Sequence, residues 1–353
     1  MKKILLVLVT LLFIVNASIR PKWDQGLLED EKDLEVLKYN MVVALDGSGN
    51  FTTISKAIEA APVLSSKRIV IKIKGGIYRE NLKFPSNKTN LFLVGDGRGI
   101  TVVTGTKNGR AGLSTLETAT VVVESVHFLA SNITFQNTAG PSNHQAVALA
   151  LAGTFTAFYN CEVLGYQDTL YVMQGKHFFV KCLIEGTVDF IFGDTAQVVL
   201  QNCDIQVRIP LPGQPNVITA QGRSKNNKKG GIVIQNCRIG ATHDFEGVKK
   251  RFKTYLGRPW KNYSRTIIME SNMSDIIDPA GWTEWEGTTR GLNTLFYREY
   301  NNFGPGAQTS KRVTWKGFKV VTHAVEVEPF TVRNFIDGSQ WLNSTGFPYK
   351  LDL

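Results

Sequence analysis

The chain has 353 residues, 43% of them hydrophobic and 20% charged, with 32 glycines and 10% aromatic residues. That is ample for a large core in one or two domains, and the glycine and aromatic content suits strands and turns better than helical bundles. A net charge of +10 would fit nucleic acid for an intracellular protein, whereas outside the cell it points to an acidic polysaccharide.

The N-terminus bears on that choice. Lys2 and Lys3 precede an apolar run over residues 4–15, and Val15-Asn16-Ala17 offers a small-residue cleavage pattern, so residues 1–17 read as an export signal. The run is too short to span a bilayer, and no other long apolar run follows. The expectation is a secreted, extracellular protein. Residues 18–40, mixed in charge, read as a linker or short exposed helix.

Residues 42–45 then read as a first strand and 46–49 as a turn. Residues 52–61 place apolar side chains at 54, 57, 58 and 61 behind a hydroxyl cap, and Pro62 stops them. This is a short amphipathic helix suited to covering the open end of a solenoid. From Arg68 onward, short β-rich runs such as 69–73, 91–94, 120–123 and 132–135 alternate with Gly, Asn and Asp. Without crossover helices a doubly wound α/β fold is excluded, leaving a sandwich, a barrel or a β-solenoid.

A repeat decides among these. Cys161, Gly165, Asp168 and Tyr171 match Cys182, Gly186, Asp189 and Phe192, each at an offset of 21 residues. A period in the low twenties is that of a solenoid rung. Ser131, Cys161, Cys182, Cys203 and Cys237 each open a small–x–β-branched triplet at intervals of 30, 21, 21 and 34 residues, and asparagine precedes three of the cysteines. Insertions in a solenoid become loops on its faces, so the expected class is all-β, a single-stranded parallel β-helix. No CxxC spacing suggests zinc or a redox pair. The thiols read as stacked core residues, with Cys203–Cys237 the most plausible bridge in an oxidising compartment.

Further on, Trp260, Trp282, Trp285 and Trp315 accumulate, and residues 335–342 resemble a last covering segment. The clusters Lys225/Lys228/Lys229 and Lys249/Lys250/Arg251/Lys253 lie in loop-like stretches and bias the surface toward polyanions. Glycosylation sequons occur at Asn50, Asn87, Asn132, Asn262, Asn272 and Asn343, with Asn132 disfavoured because it lies inside a predicted strand.

The chemistry follows from the repeat. On neighbouring parallel strands Asp168 and Asp189 would lie about 4.8 Å apart along the stack. Two carboxylates that close do not readily both ionise, so one site obtains an acid and a nucleophile from one residue type. Gln167 precedes Asp168, and Gln145 lies 22 residues earlier, about one rung. Their amides could donate to a developing oxyanion. Arg258, in Leu256-Gly257-Arg258-Pro259-Trp260, could pair with a carboxylate, and Trp260 could lie flat against a sugar ring. There is no G-x-S-x-G elbow and no HExxH helix, and the five histidines form no pattern with Ser or Cys. Carboxylate chemistry on a carbohydrate is the default.

The segments 76–80, 145–149, 165–171, 186–193 and 256–260 resemble the signature motifs of pectinesterases, especially the plant type, and occur in family order. The resemblance runs from about Met41 to the C-terminus, marking 41–353 as the catalytic region. It implies a right-handed, pectin-lyase-like β-helix that hydrolyses the methyl esters of homogalacturonan in the cell wall and releases methanol. By resemblance, Asp189 is the nucleophile, Asp168 the general acid and then base, Gln145 and Gln167 the oxyanion donors, and Arg258 the partner of Asp189. Thr115 and Trp260 look like substrate contacts, with Tyr171, Phe192 and Trp282 as aromatic lining. No metal or organic cofactor, nucleic acid or membrane is implied. A monomer is expected, with a separate proteinaceous pectinesterase inhibitor as an implied partner. Residues 18–40 leave no room for the inhibitor-like helical domain of many plant relatives. Ala150, Thr154, Met173 and Leu116 depart from the family pattern, which bears on subsite preference and pH optimum. The rival readings are a polygalacturonase, which would also use paired carboxylates, a calcium-dependent pectate lyase, and a non-catalytic wall-binding solenoid.

Overall fold

In the computed structural model, which describes residues 38–353, successive turns of the chain add strands to three parallel sheets of eleven, eight and seven strands. One turn comprises Thr156–Tyr159, Glu162–Leu164 and Leu170–Val172, and the next Lys176–Val180, Leu183–Gly186 and Ile191–Gly193. Thr156 pairs with His177, Glu162 with Leu183 and Leu170 with Ile191, so all three sheets share the 21-residue offset. This is the parallel β-helix expected from the repeat. Insertions lengthen a turn without breaking it: Asp204 pairs with Arg238, 34 residues on. The export signal expected over 1–17, and most of the 18–40 stretch, lie outside the described residues.

The repeated identities line the inside of the coil. Val163, Ile184, Ile205, Ile239 and Met273 stack in register and are at most 2% exposed. Phe158 lies flat on Phe179 with ring centroids 4.6 Å apart. Burying each such side chain is worth roughly 1.5–3 kcal/mol, and a one-residue slip would turn a whole column outward. The four cysteines form a neighbouring column of buried free thiols. The Cys182 amide donates to Cys203 Sγ at 3.4 Å, the Cys203 amide to Cys237 Sγ at 3.3 Å and the Cys237 amide to Ser271 Oγ at 3.1 Å. The Cys203–Cys237 bridge expected from sequence is therefore absent, its sulfurs being engaged in this ladder. Asn160, Asn202 and Asn236, just ahead of the cysteines, have φ of 49°, 54° and 52°. A short polar side chain tolerates that left-handed corner best after glycine, which accounts for the recurring asparagine.

The predicted helix forms over Ile54–Ala60. Thr53 Oγ1 accepts from the Lys56 amide, and the Glu80 carboxylate accepts from the amides of Ile54 and Ser55. Ile54, Ala57 and Ile58 pack into the core beside Val43 and Phe84, in the first strands of two sheets, so the helix closes that end. The C-terminal covering segment does something different. Residues 335–352 run along the flank of the eleven-stranded sheet. Gln197 donates to the Phe335 carbonyl, Lys176 pairs with Asp337, Gln201 exchanges two bonds with Lys350, and Trp341 packs on Phe155. It covers a side, because the polar row Lys176–Gln197 and Gln201–Gln235 on that sheet offers partners for a strap.

Candidate active site

The outer face of the seven-stranded sheet carries one row of cross-strand neighbours: Val122, Ala150, Tyr171, Phe192, Ala220 and Arg258. Ala119, Val147, Ala150, Phe192 and Ala220 form a buried apolar cluster separate from the coil's interior, with Leu116, Tyr171, Trp260 and Trp285 packed on it. The sheet thus has a second hydrophobic surface on its outside, where a polar row would be ordinary. Ala150, a departure from the family pattern, continues this apolar floor.

Asp168 and Asp189 stand at the edge of that floor. They do not lie on the strands, as the sequence suggested, but in the turns two residues ahead of Leu170–Val172 and Ile191–Gly193, with φ of 62° and 52°. Aspartate is among the few side chains that accept this conformation. The matched glycines open the same turns. A Cβ on Gly186 would lie 2.2 Å from Phe190 Cβ, and one on Gly165 would lie 2.6 Å from Thr169 Oγ1. Inter-turn hydrogen bonds continue through the corner, from the Asp168 amide to the Val188 carbonyl at 3.0 Å and from the Thr187 amide to the Tyr166 carbonyl at 2.9 Å. The two carboxyls are therefore held in register without being in a sheet.

Their surroundings differ. Both are nearly buried, at 8% and 6% exposure. Arg258 Nε donates to Asp189 Oδ1 at 2.8 Å and Nη2 to Oδ2 at 2.6 Å, a bidentate fork. Burial raises the Asp189 carboxyl, and this fork opposes the rise. Asp168 is pushed well above the usual carboxylate range, first by burial and then by the charge of Asp189, with only a through-space pull from Arg258 against it. The pair is built to hold its protons unequally, with Asp168 the more persistent acid.

The remaining predicted residues sort plainly. The Ala146 amide donates to the Gln167 carbonyl at 3.2 Å, which stacks the Gln145 segment one turn before Gln167. Both glutamines are half-buried, and among the described residues neither side-chain amide has a hydrogen-bond partner. Thr115 is half-buried in the flanking loop, beside Leu116 on the apolar floor. Tyr171 and Phe192 stack with centroids 4.3 Å apart, and Phe192 meets Trp260 edge-on at 6.2 Å. Trp260 lies over Gly222, where a Cβ would fall 2.4 Å from the indole Cε3.

Trp282 is the correction. It is 1% exposed, stacks on Tyr297 at 4.3 Å and donates its indole N–H to Glu299, itself forked by Arg312. A tryptophan committed to that buried ion pair has no face left for a ligand. Trp285, three residues later, is the aromatic that reaches the site. Its ring centroid sits 4.4 Å from the Arg258 guanidinium and 5.9 Å from that of Arg290, which also donates to the Trp260 carbonyl at 3.0 Å. The signal was available in the neighbours: Trp282 directly follows Pro279-Ala280-Gly281, whereas Trp285 is flanked on both sides by the acids Glu284 and Glu286.

The chain is similar to known proteins along this whole architecture. A family model described as Pectinesterase matches residues 40–339. The chain is 54% identical to "Pectinesterase" of Daucus carota over 314 residues, covering 89% of this chain and 98% of the relative. It is 56% identical to "Pectinesterase 2" of Arabidopsis thaliana over 337 residues, covering 94% of this chain and 56% of the relative. The chain spans about half the length of most of the curated relatives it matches. Among solved structures, "Pectin methylesterase from Carrot" superposes with a TM-score of 0.89 at 53% identity, covering 90% of this chain and 99% of that one.

Proposed function

The chain belongs to the pectinesterase family, and from that premise we propose that it hydrolyses the C6 methyl esters of homogalacturonan to pectate and methanol. The observation that carries the reading is the asymmetry of the two buried aspartates, one forked by Arg258 and the other not. Asp189, kept ionised and oriented by the guanidinium, attacks the ester carbonyl carbon through a carboxylate oxygen. The carbonyl oxygen takes the negative charge and accepts hydrogen bonds from the free amides of Gln145 and Gln167. As the intermediate collapses, Asp168 gives its proton to the departing methoxide, which leaves as methanol. The C–O bond to methoxide is broken and an anhydride joins Asp189 to the sugar. Asp168, now a carboxylate, takes a proton from water as the water oxygen attacks the anhydride carbonyl. The products are a free sugar carboxyl and the restored Asp189.

Tyr171, Phe192, Trp260 and Thr115 would contact the sugar chain, with Trp285 joining them in place of Trp282. The catalytic unit is assigned to residues 41–353, acting as a secreted monomer in the cell wall. Exposed sequons at Asn50, Asn87, Asn262, Asn272 and Asn343 fit a glycoprotein. A separate proteinaceous inhibitor is the expected protein partner.

The test is methanol release from methyl-esterified homogalacturonan by purified protein, followed together with reducing ends and unsaturated products. Methanol alone is expected. Asp189→Asn should lower release by at least ~10³-fold with an unchanged circular dichroism spectrum. Full activity in that variant would remove the nucleophile assignment, and new reducing ends or unsaturation would remove the esterase reading.

A further inference from the structure

The connection between the seven-stranded and eleven-stranded sheets is short in two successive turns. Three residues, 173–175, separate Leu170–Val172 from Lys176–Val180, and three, 194–196, separate Ile191–Gly193 from Gln197–Gln201. In the next turn nine residues, 222–230, separate Asn216–Gln221 from Gly231–Gln235. Ser224 to Lys229 are all exposed, and they include Lys225, Lys228 and Lys229 but no acid.

The base of this loop is also cationic, and it sets the lysines' direction. Arg223 is 1% exposed and donates to the carbonyls of Tyr263 at 2.7 Å, Asn226 at 2.8 Å and Lys228 at 3.1 Å. Arg265 donates to the Lys229 carbonyl at 3.0 Å and keeps a buried Nε without a partner. The loop's carbonyls are thus turned inward onto two guanidiniums, neither of which faces a carboxylate. Among the described residues none of these five cations has an ion pair. Some lysines elsewhere on the surface are paired: Lys249 is held by Glu246 and Asp275, and Lys261 by Asp194. The loop leaves from directly beneath Trp260, because Gly222 is the residue on which that indole rests.

We propose that loop 224–229 is a second binding site, outside the cleft, for the carboxylates of an acidic polysaccharide. Resting on the esterase reading, its ligand is the de-esterified stretch of the same polymer that occupies the cleft. Each hydrolysed ester turns a neutral sugar into an anionic one, so a chain passing Trp260 acquires charge where the unpaired lysines stand. Several weak exposed contacts on one polymer add up through their shared tether, and they are screened by salt.

The experiment compares the parent protein with the triple variant Lys225→Gln/Lys228→Gln/Lys229→Gln. Equilibrium binding to fully de-esterified polygalacturonate is measured over a range of salt, and methanol release from a short methyl-esterified oligogalacturonide serves as the control. The variant is expected to bind polygalacturonate roughly tenfold or more weakly at low salt, with a flatter salt dependence and unchanged release from the oligomer. The Lys→Arg triple variant should bind as the parent does. Equal affinity and equal salt dependence in the glutamine variant would overturn the proposal, as would a parent that does not bind polygalacturonate. Absence of methanol release by the parent would remove the esterase reading alone, since the binding measurement does not depend on turnover.

Discussion

At the scale of single residues, what separates Asp168 from Asp189 is one guanidinium. Both carboxyls are buried, and burial alone would raise both. The bidentate bonds from Arg258 at 2.8 and 2.6 Å reach Asp189 only. Replacing the arginine should therefore act on the ionisation of Asp189, the proposed nucleophile, before anything else. In Arg258→Gln the opposing influence is lost and the Asp189 carboxyl rises further, so the acid limb of the kcat/KM profile should shift to higher pH. The alkaline limb, which the proposed mechanism assigns to loss of the Asp168 proton, should move less, because Asp168 is raised chiefly by burial. Removing one partner of a buried bidentate pair also leaves an uncompensated charge, so activity at the optimum should fall by at least ~10²-fold. A variant in which activity drops but the acid limb stays in place would show that Arg258 does not tune Asp189.

At the scale of elements, the corners between sheets matter more than the strands. The strands of the seven-stranded sheet present a largely apolar row, while the paired aspartates sit in the turns before them, shaped by Gly165 and Gly186. Gly186→Ala would place its Cβ 2.2 Å from Phe190 Cβ, inside a packed core. Overpacking of that kind costs about 3 kcal/mol where the backbone cannot move, and thermal melts should show a lower Tm together with lost activity. The two nearby tryptophans should separate in the same assays. Trp285→Ala should reduce kcat/KM with little change in Tm, since the ring covers Arg258 at the surface of the site. Trp282→Ala should lower Tm, since it strips an aromatic from the buried Glu299–Arg312 pair. The reverse pattern would restore Trp282 to the site.

At the scale of the whole molecule, the stacked coil stores a pH dependence away from the chemistry. His177 is fully buried in the eleven-stranded sheet, where Gln174 accepts from Nε2 at 2.7 Å and the Thr156 hydroxyl meets Nδ1 at 2.8 Å. The Gln174 carbonyl can only accept, so the neutral ring carries its proton on Nε2. Burial lowers the imidazole from 6.5 to about 4. Between those values the unfolded chain binds a proton that the folded one excludes. Stability from this residue is thus fully present above pH 6.5 and declines as pH falls toward 4, by up to about 3 kcal/mol. Denaturant titrations of His177→Gln against the parent should show a smaller loss of stability over that interval. An identical loss in both would assign the acid sensitivity elsewhere.

The sequence by itself determined the coil. Inward side chains on parallel strands meet their own equivalents one turn away, so packing demands the same residue class every 21 positions and writes the fold as a visible period. The aspartates, their glycines and the asparagine corners were legible for the same reason. Other features carry no period. Which aspartate holds the arginine depends on a residue 69 positions away, and whether Trp282 or Trp285 faces outward depends on partners such as Glu299 and Arg258 on other turns. The unbridged cysteines, and the strap laid along a flank instead of an end, likewise follow from which polar groups the stacked turns leave unpaired. Those choices are made between turns, where only the tertiary structure brings the groups within reach.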